Sequence, residues 1–406
     1  MLFKYKAKKL SDGGLVEGAR ESNDKFSLLR ELKEEGLSLL VAEGTEGGGI
    51  VRFLTRLNEM VIRIGLHEKI IFARNLAAMI SAGLSLSRAI EILEKQATNA
   101  KFKKILATLG KEIKDGGTLS SGLKKHPRVF SPLFVAMVHA GEESGGLSPA
   151  LKEVAVHLDK NYVLIKKVRG AMTYPAIIMV AIIIIGALML IYVVPTLTGT
   201  FKELKVELPA STKFIIFVSD LLINNVIAMF LGLVAFIVMF SLGLRTARGQ
   251  KYLDFVLLRI PFIGNLVKEI NSARTARTLA SLLVAGVTIT ESLSITRDVI
   301  QNYYYKVALV SATLKVQKGG SVAETFKENT FLFPVMVGEM MEVGEETGKL
   351  SQMLLDIATF YEDEVDAATK DLSTVVEPVL MVVIGAAVGF FAISMITPTY
   401  SLLNNI

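Results

Sequence analysis

The chain has 406 residues, 51% of them hydrophobic, and a formal net charge of +6 at pH 7. This length suits two or three domains. The chain contains no cysteine, which excludes disulfides, thiolate nucleophiles, zinc–cysteine clusters and iron–sulfur ligation together. An apolar chain with a modest basic excess is typical of a membrane protein with basic flanks beside its spans, and it does not indicate nucleic-acid binding.

Residues 1–48 are predicted to form a separate cytoplasmic element that ends in a linker. Phe3, Tyr5 and Ala7 alternate with lysines, which predicts a short strand. The SDGG sequence at 11–14 predicts a turn that returns the chain as a hairpin. No apolar segment follows the basic start, so we expect no signal peptide and a cytoplasmic N-terminus.

The next part of the chain is predicted to be a helix, a linker and a second helix. Residues 24–40 have a helical pattern, and the glycine-rich sequence at 43–49 is typical of a flexible linker. A connecting helix is expected over 49–69. Its arginines fit either a basic amphipathic helix near the inner leaflet or a solvated surface helix.

Three apolar runs contain no charged residue: 176–194, 226–244 and 379–397. Each has the length that crosses ~30 Å of hydrocarbon at about 1.5 Å per residue, whereas a buried helix of a soluble protein is usually shorter and less uniformly apolar. The start of the second run is ambiguous because polar residues interrupt its approach. The predicted transmembrane helices, with their flanks, cover 173–195, 214–244 and 376–398.

The sequence contains an internal duplication. Residues 140–148 (AGEESGGLS) and 343–351 (VGEETGKLS) lie 203 positions apart, and the same offset aligns the chain without a gap from about residue 70 to residue 203. A constant register over this length indicates a tandem repeat. Helical spacing without strand alternation predicts an all-α bundle in each repeat, at 70–172 and 245–375.

The duplication also predicts the topology. Two homologous bundles are expected on one side of the membrane, so the unrepeated second span must return the chain after the first span leaves. Basic residues before the first span and after the second mark that side as cytoplasmic. The loop 196–213 and the tail 399–406 are then extracytoplasmic.

The GEETGKLS sequence is not a nucleotide-binding loop. A P-loop needs four residues between its glycines, with Ser or Thr directly after Lys. Here three residues separate the glycines and Leu350 follows Lys349, while the first repeat has Gly146 in place of the lysine. We predict a joint between two helices instead, in which Gly141 or Gly344 ends the incoming helix. Ser148 and Ser351 are then the N-caps of the next helices.

Paired glutamates lie at each predicted joint: Glu142 with Glu143, and Glu345 with Glu346. They are expected to cap free backbone amides or to face water. The alternatives are a docking patch for a partner and an oxygen-ligand site for a divalent cation, and the second lacks a fuller set of acidic ligands. The partner-contact candidates are Gly141, Glu142, Glu143, Gly344, Glu345, Glu346 and Glu377.

No catalytic constellation is evident. The histidines lie in the first repeat and match no metalloprotease or Ser/His/Asp pattern, so surface or packing roles are expected. These residues are His67, His126, His139 and His157. The three apolar runs carry no Asp, Glu, Lys or Arg, which argues against an ion or proton pathway. Neither a catalytic residue, a cofactor nor a confident metal site is predicted.

Several motifs match a known family in the same order. They are LASLLVAGVTITESL at 279–293, GGSVAETF at 319–326, FPVMVGEMMEVGEETGKLSQML at 333–354 and FYEDEV at 360–365. The first repeat carries the same pattern more loosely. The chain resembles the type II secretion system protein F family (GspF/PilC-like), the inner-membrane platform proteins of secretion, type IV pilus and competence machines.

The resemblance implies an all-α polytopic membrane protein with two cytoplasmic bundles, three spans and a small N-terminal α+β element. It implies a non-enzymatic scaffold in a bacterial or archaeal cytoplasmic membrane, with the C-terminus outside. The implied partners are a cytoplasmic assembly ATPase, pilins or pseudopilins, other inner-membrane assembly proteins, the lipid bilayer and further copies of the chain, but no nucleic acid. The alternative function is a multi-span transporter or channel component.

Overall fold

The computed structural model describes residues 2–9, 15–22, 25–44, 64–203 and 208–403. The chain divides into two compact units, which are described separately. One consists of residues 1–65 with 97–105, and the other of 66–96 with 106–406. The membrane-type helices and both Gly-Glu-Glu sequences belong to the second unit.

The N-terminal element is a three-stranded antiparallel sheet with one helix. Its elements are β1 (Leu2–Lys9), β2 (Leu15–Glu21), α1 (Lys25–Glu34) and β3 (Leu37–Gly44). The strand order is β2-β1-β3, and Tyr5 pairs with Gly18 in the predicted hairpin. Leu28 and Leu32 of α1 are fully buried against the sheet with Ala7. The predicted strand and hairpin are thus present.

The predicted helix at 24–40 is wrong in its second half. The helix ends at Glu34, and Gly36 has a φ of +73°, a left-handed conformation that terminates helices at little cost only for glycine. Leu37–Gly44 then pairs with β1 as a strand. Most of the predicted linker and connecting helix, residues 45–63, lies outside the described residues; the chain is described again from residue 64, and α2 begins at Leu66.

The two repeats have the same helices at the predicted offset. In the first repeat they are α2 (Leu66–Ser81), α3 (Leu86–Gln96), α4 (Ala100–Lys114), α5 (Leu119–Lys124), α6 (Pro132–Glu143) and α7 (Leu147–Leu188). In the second they are α12 (Ile263–Val284), α13 (Ile289–Val299), α14 (Tyr303–Gln317), α15 (Val322–Glu328), α16 (Val335–Glu346) and α17 (Leu350–Leu403). Most boundaries agree to the residue, so the duplication in sequence is a duplication in structure.

The last helix of each repeat continues into an apolar segment. After α7, the π-helical turn Met189–Val193 and α8 (Val194–Glu203) extend the same helical path. The segments Leu147–Phe201 and Leu350–Pro398, with 55 and 49 residues, are long and apolar enough to cross a membrane. Pro175 and Pro378 lie inside these helices. A proline there removes one backbone hydrogen bond but does not end either helix.

The predicted second span is divided in the structure. It consists of α9 (Ala210–Asn224) and α10 (Val226–Arg245), separated by Asn225, and α11 (Ala247–Arg259) leads into the second repeat. Thr212 donates a hydrogen bond to the carbonyl of Ser394 in α17, and Ser219 donates to the carbonyl of Leu190 in the π-helical turn. These bonds connect α9 to the apolar parts of both long helices, as hydroxyls do between membrane helices.

The joint between α6 and α7 differs from its prediction. Helix α6 does not end at Gly141 but continues to Glu143, and Gly145 with a φ of +72° makes the turn. Gly141 is used for close packing, since a Cβ there would lie 2.4 Å from the Cβ of Ala150. Ser148 is not an N-cap: it lies in the first turn of α7 and donates to the carbonyl of Ala77, 2.9 Å away.

The second repeat has the same arrangement. Helix α16 continues past Gly344 to Glu346, and Gly348 makes the turn with a φ of +69°. A Cβ on Gly344 would lie 2.9 Å from the Cα of Leu350. Ser351 lies inside the first turn of α17 and so is not its N-cap. In both repeats the glycines correctly predict a joint between two helices. The glycine before the paired glutamates, however, does not end the helix but allows the next helix to pack closely against it.

We expect Gly141→Ala and Gly344→Ala each to destabilise the protein by about 1–3 kcal/mol, because the added methyl group has no room between the crossing helices. The matched control is Gly110→Ala in α4, where the new Cβ would make an ordinary contact at 3.5 Å with Ile90. Thermal unfolding of the detergent-solubilised protein, followed by circular dichroism, measures the difference. Equal melting temperatures for the joint and control variants would contradict the packing role.

Candidate functional site

The first glutamate of each pair caps a short helix in its own bundle. The carboxylate of Glu142 accepts hydrogen bonds from the backbone amides of Leu119 and Ser120, at the start of α5. The first amides of a helix have no partner within the helix, and a carboxylate there also interacts favourably with the helix dipole. Glu142 thus holds α5 against α6, although Glu142 and Leu119 are 23 residues apart in sequence.

Glu345 makes the equivalent bonds in the second repeat. It accepts from the amides of Val322 and Ala323 at 2.8 and 2.9 Å, and the Ser321 hydroxyl also donates to it. Val322 and Ala323 correspond to Leu119 and Ser120 at the offset of 203 residues. Both oxygens of Glu142 and of Glu345 are therefore engaged by the protein, in the same way in each repeat.

The second glutamate of each pair lies at the surface. Glu143 is exposed and lies 3.4 Å from the Nε2 atom of His139, and Glu346 is exposed as well. Glu377 is exposed on α17. Within the ranges that the structure describes, no group of three or more His, Asp or Glu side chains is arranged to hold a metal ion. At each joint, therefore, the glycine and the first glutamate face the interior of the bundle, and the second glutamate faces outward.

A second set of polar residues joins the two bundles. Helix α7 packs against α12 and α17, and α6 packs against α13. The Ser281 hydroxyl donates to Glu153 at 2.9 Å, and the Lys167 ammonium lies 2.9 Å from a carboxylate oxygen of Asp366. An apolar cluster of Leu164, Leu266 and Val365 lies beside them. We call this surface, from Glu153 to Lys167 on α7 with its partners, the inter-repeat junction.

One arginine–carboxylate pair is found at equivalent positions in the two repeats, but in different environments. Arg277 binds Glu362 through two bonds of 2.7 and 2.8 Å, and its side chain is only 7% exposed. The equivalent Arg74 and Asp159 are 3.6 Å apart, with side chains 62% and 47% exposed. The buried pair lies at the inter-repeat junction, where Lys160 of α7 also approaches Glu362 at 3.5 Å. Breaking a buried pair leaves an uncompensated charge, whereas an exposed pair contributes little.

A cavity of about 90 Å³ lies at the inter-repeat junction. It is lined by His157, Lys160, Asn161, Leu164, Ile165, Ala273, Arg274, Arg277, Thr278, Val299, Gln301 and Glu362. His157 is buried and its Nδ1 atom has no hydrogen-bond partner in the described part of the chain. Burial, together with the charge of Arg277, lowers the pKa of His157 to about 4. The imidazole is therefore neutral at physiological pH.

Sequence reasoning did not find the inter-repeat junction. Arg74 and Arg277 align at the offset of 203 residues, but this alignment alone does not indicate what either side chain binds. One signal was available: in each repeat an acidic residue follows the arginine by 85 positions, at Asp159 and Glu362. A single repeat would not reveal this pairing, because the signal is the same spacing of arginine and acidic residue in both repeats.

The duplicated bundle corresponds to a known protein family. The family model described as "Type II secretion system (T2SS), protein F" matches residues 72–195 and again residues 275–398. The chain belongs to this family. The two matched ranges are offset by the same 203 residues as the helices. The resemblance seen in the sequence motifs is thereby confirmed, as is the duplication.

Relatives in the protein F family carry two kinds of name. The chain is 37% identical to the type IV pilus assembly protein PilC of Thermus thermophilus, over 100% of this chain and 99% of the relative. It is 33% identical to PilC of Pseudomonas aeruginosa, over 82% of this chain and 89% of the relative. It is 29% identical to the type II secretion system protein F of Aeromonas hydrophila, over 95% and 98%. Platform proteins of this family are non-enzymatic assembly components, as the motifs implied.

We expect Glu142→Gln and Glu345→Gln each to lower the free energy of unfolding by about 1–3 kcal/mol, because an amide cannot accept from two backbone amides with both of its atoms. Glu143→Gln and Glu346→Gln are the matched controls and should change it by less than about 0.5 kcal/mol. Thermal unfolding with and without a chelator is the measurement. A chelator-dependent melting temperature that these substitutions abolish would favour the divalent-cation interpretation over capping.

We expect His157 to make the protein less stable as the pH falls. The folded pKa of about 4 lies below the ordinary 6.5, so the unfolded chain binds the proton first and stability is lost between pH 6.5 and 4. The loss at the acid end is on the order of 3 kcal/mol. His157→Phe, the residue type that the second repeat has at Phe360, should reduce the slope of melting temperature against pH over this range. Identical slopes for the two proteins would contradict a neutral, buried His157.

Proposed function

We propose that this chain is the inner-membrane platform subunit of a type II secretion or type IV pilus machine. In this role it couples a cytoplasmic assembly ATPase to the extraction and polymerisation of pilins or pseudopilins. It works as a homo-oligomer together with other inner-membrane assembly proteins. Membership of the protein F family and the names of its relatives support the class of machine.

The observation that carries the proposal is the continuity of two helices. The segments Leu147–Phe201 and Leu350–Pro398 each begin at a bundle joint and run without interruption through an apolar stretch. At about 1.5 Å per residue they are roughly 70–80 Å long, more than twice the ~30 Å of a hydrocarbon core. A rotation or tilt of either bundle is therefore transmitted into the membrane by a continuous helix, which we call a rod. A flexible loop at the same place would absorb the motion.

The inter-repeat junction supports a coupled motion of the two bundles. The ion pairs from Lys160 to Glu362 and from Lys167 to Asp366 connect α7 with α17 shortly before each helix becomes apolar. The neighbouring Lys167 and Lys370 ammonium groups hold the pKa of Asp366 below its usual value, so this link stays charged at physiological pH. Force applied to one bundle thus reaches both rods.

The topology in the proposal has three spans, at 173–195, 214–244 and 376–398. Both bundles and the N-terminus are cytoplasmic, and the C-terminus is outside. The duplication and the basic flanks support this orientation. The hydrogen bonds of Thr212 and Ser219 support a second span that packs between the two rods.

We propose the outward-facing carboxylates Glu143, Glu346 and Glu377 as partner contacts. Gly141, Gly344, Glu142 and Glu345 act indirectly, because they hold the joint that presents these residues. A patch repeated once per bundle suits a partner with repeated subunits, such as a ring-shaped ATPase. A divalent cation at the joints is the less supported alternative, since two of the four carboxylates already bind backbone amides.

The test is an insertion of Gly-Gly-Ser after Gly170, which makes α7 flexible between the bundle and the span. The same insertion after Lys318, in an exposed turn of the second bundle, is the control. In cells that lack the native gene, we expect the first variant to reach the membrane and to capture the assembly ATPase but to lose pilus or pseudopilus assembly. The control should retain all three properties.

Two results would contradict the proposal. One is full assembly by the variant with the flexible α7, since coupling through that rod would then be unnecessary. The other is ATP hydrolysis by the purified chain without a partner ATPase. Substrate uptake by the chain reconstituted alone would instead support the transporter alternative, which family membership does not favour.

A further inference from the structure

The two repeats have equivalent surfaces, and some of these surfaces contact the other repeat while their equivalents do not. Helix α6 of the first repeat packs against α13 of the second. A groove between them is lined on the α6 side by Thr118, Ser120, Ser121, Lys124, Pro127, Phe130, Pro132, Val135, Ala136 and His139, and on the α13 side by Glu291 and Ile295. The equivalents of α6 and α13 are α16 and α3. These two make no comparable contact among the helices that the structure describes.

Among the described residues of one chain, the equivalent surfaces are therefore open. Val335, which corresponds to Pro132, is 64% exposed. The side chains of Glu339 and Glu342 on α16 are 57% and 45% exposed, and that of Arg88 on α3 is 58% exposed. We call Val335, Glu339 and Glu342 the α16 face, and Arg88 with Ile92 the α3 face.

The apolar position of the groove is kept on the α3 face. Ile92 corresponds to Ile295, so both repeats have the same branched side chain at this point. On the α16 face the apolar partner changes from Pro132 to Val335, which remains apolar. The open surfaces thus retain apolar residues at the positions of Pro132 and Ile295, which line the internal groove.

The charges of the groove are reversed on the open surfaces. Inside the chain, Lys124 on the α6 side faces a groove with Glu291 on the α13 side. At the position of Glu291 the first repeat has Arg88. At the positions of Ala136 and His139 the second repeat has Glu339 and Glu342, which outnumber the retained Lys327. These charges also have neighbours on their own helices: Arg88 and Lys95 both pair with Glu91, and Lys327 pairs with Glu339 and Glu342. Two cations and one anion leave the α3 side with a net charge of +1, and two anions and one cation leave the α16 side with a net charge of −1. The two open surfaces are therefore complementary, with the sign opposite to that of the internal groove.

We propose that the α16 face of one copy of this chain binds the α3 face of a second copy, in the manner in which α6 binds α13 within one chain. The contact is head-to-tail, since two different surfaces meet. The proposal names the interface of the oligomer in the proposed function, and it does not depend on the ATPase or on the cargo.

The reversed charges also specify the pairing. If α16 replaced α6 on α13, Glu339 and Glu342 would face Glu291. If α6 bound the α3 face, Lys124 would face Arg88. Both exchanges bring like charges together, so the internal and the external interface do not compete.

The absence of native cysteine allows a direct test by disulfide cross-linking. Ile92→Cys and Val335→Cys are made in separate, differently tagged full-length chains, co-expressed and oxidised in membranes. We expect a covalent product that contains both tags. Either variant expressed alone should give little product, because a head-to-tail contact does not bring two identical positions together.

The matched control is the equivalent pair within one chain, Pro132→Cys with Ile295→Cys. It should form an intramolecular disulfide, seen as a mobility shift without a dimer, which also shows that the bundles are folded. Formation of this control bond without any Ile92–Val335 product would overturn the proposal. So would a product between two Val335 positions, since that requires a contact of a surface with itself.

Charge reversal tests the specificity. We expect Arg88→Glu to lower the Ile92–Val335 product by roughly two- to fivefold, the range of a single exposed ion pair, and Glu342→Lys in the partner chain to restore it. Lys111→Glu, on the exposed surface of α4 and outside both faces, is the control and should leave the yield unchanged. A product that is insensitive to Arg88→Glu would contradict a charge-directed contact.

Discussion

The fold of each bundle depends on one carboxylate that crosses from one helix to another. Glu142 and Glu345 bind two amides at the start of the short helices α5 and α15. A helix of six or seven residues has little stability of its own, so its free amides need an external acceptor. The residue before each glutamate, Gly141 or Gly344, lets the next long helix cross closely. In each repeat, therefore, one Gly-Glu dipeptide both caps the short helix and allows the two longer helices to cross closely.

This arrangement has a mechanical consequence. Helices α7 and α17 begin at the joints and continue into the apolar segments, so the direction in which each enters the membrane is set by its joint. The inter-repeat junction then connects the two helices to each other. In the proposed function, displacing a joint would displace the long helix that begins there and, through the ion pair of Lys167 with Asp366, the other long helix.

The two repeats have the same internal framework but different outer surfaces. The caps, the turns at Gly145 and Gly348, and most helix boundaries are shared. The Arg277–Glu362 pair is buried while Arg74–Asp159 is exposed, because only the second repeat presents this position to the other bundle. Residues that hold a bundle together must stay the same in both repeats, whereas residues between bundles meet different neighbours and can diverge.

Particular errors show where reasoning from sequence fails. The sequence predicts a helix over 24–40 because Leu37–Gly44 is apolar enough for either a helix or a strand, and pairing with β1 makes it a strand. The sequence predicts Gly141 as a helix terminator, although the space available to a Cβ there depends on Ala150 in another helix. It predicts Ser148 as an N-cap, but the Ser148 hydroxyl donates to the carbonyl of Ala77. In each case a distant residue outweighed the local preference.

The sequence by itself determined the repeat, its register, the helical class, the apolar segments and the family. Such features follow from periodicity, composition and internal likeness, all of which are local or additive along the chain. Only the tertiary structure decided which glutamate of each pair faces inward, why the glycines are needed, and where the two bundles touch. Those outcomes depend on close contacts between residues far apart in sequence, and a pattern in one segment carries no record of what packs against it.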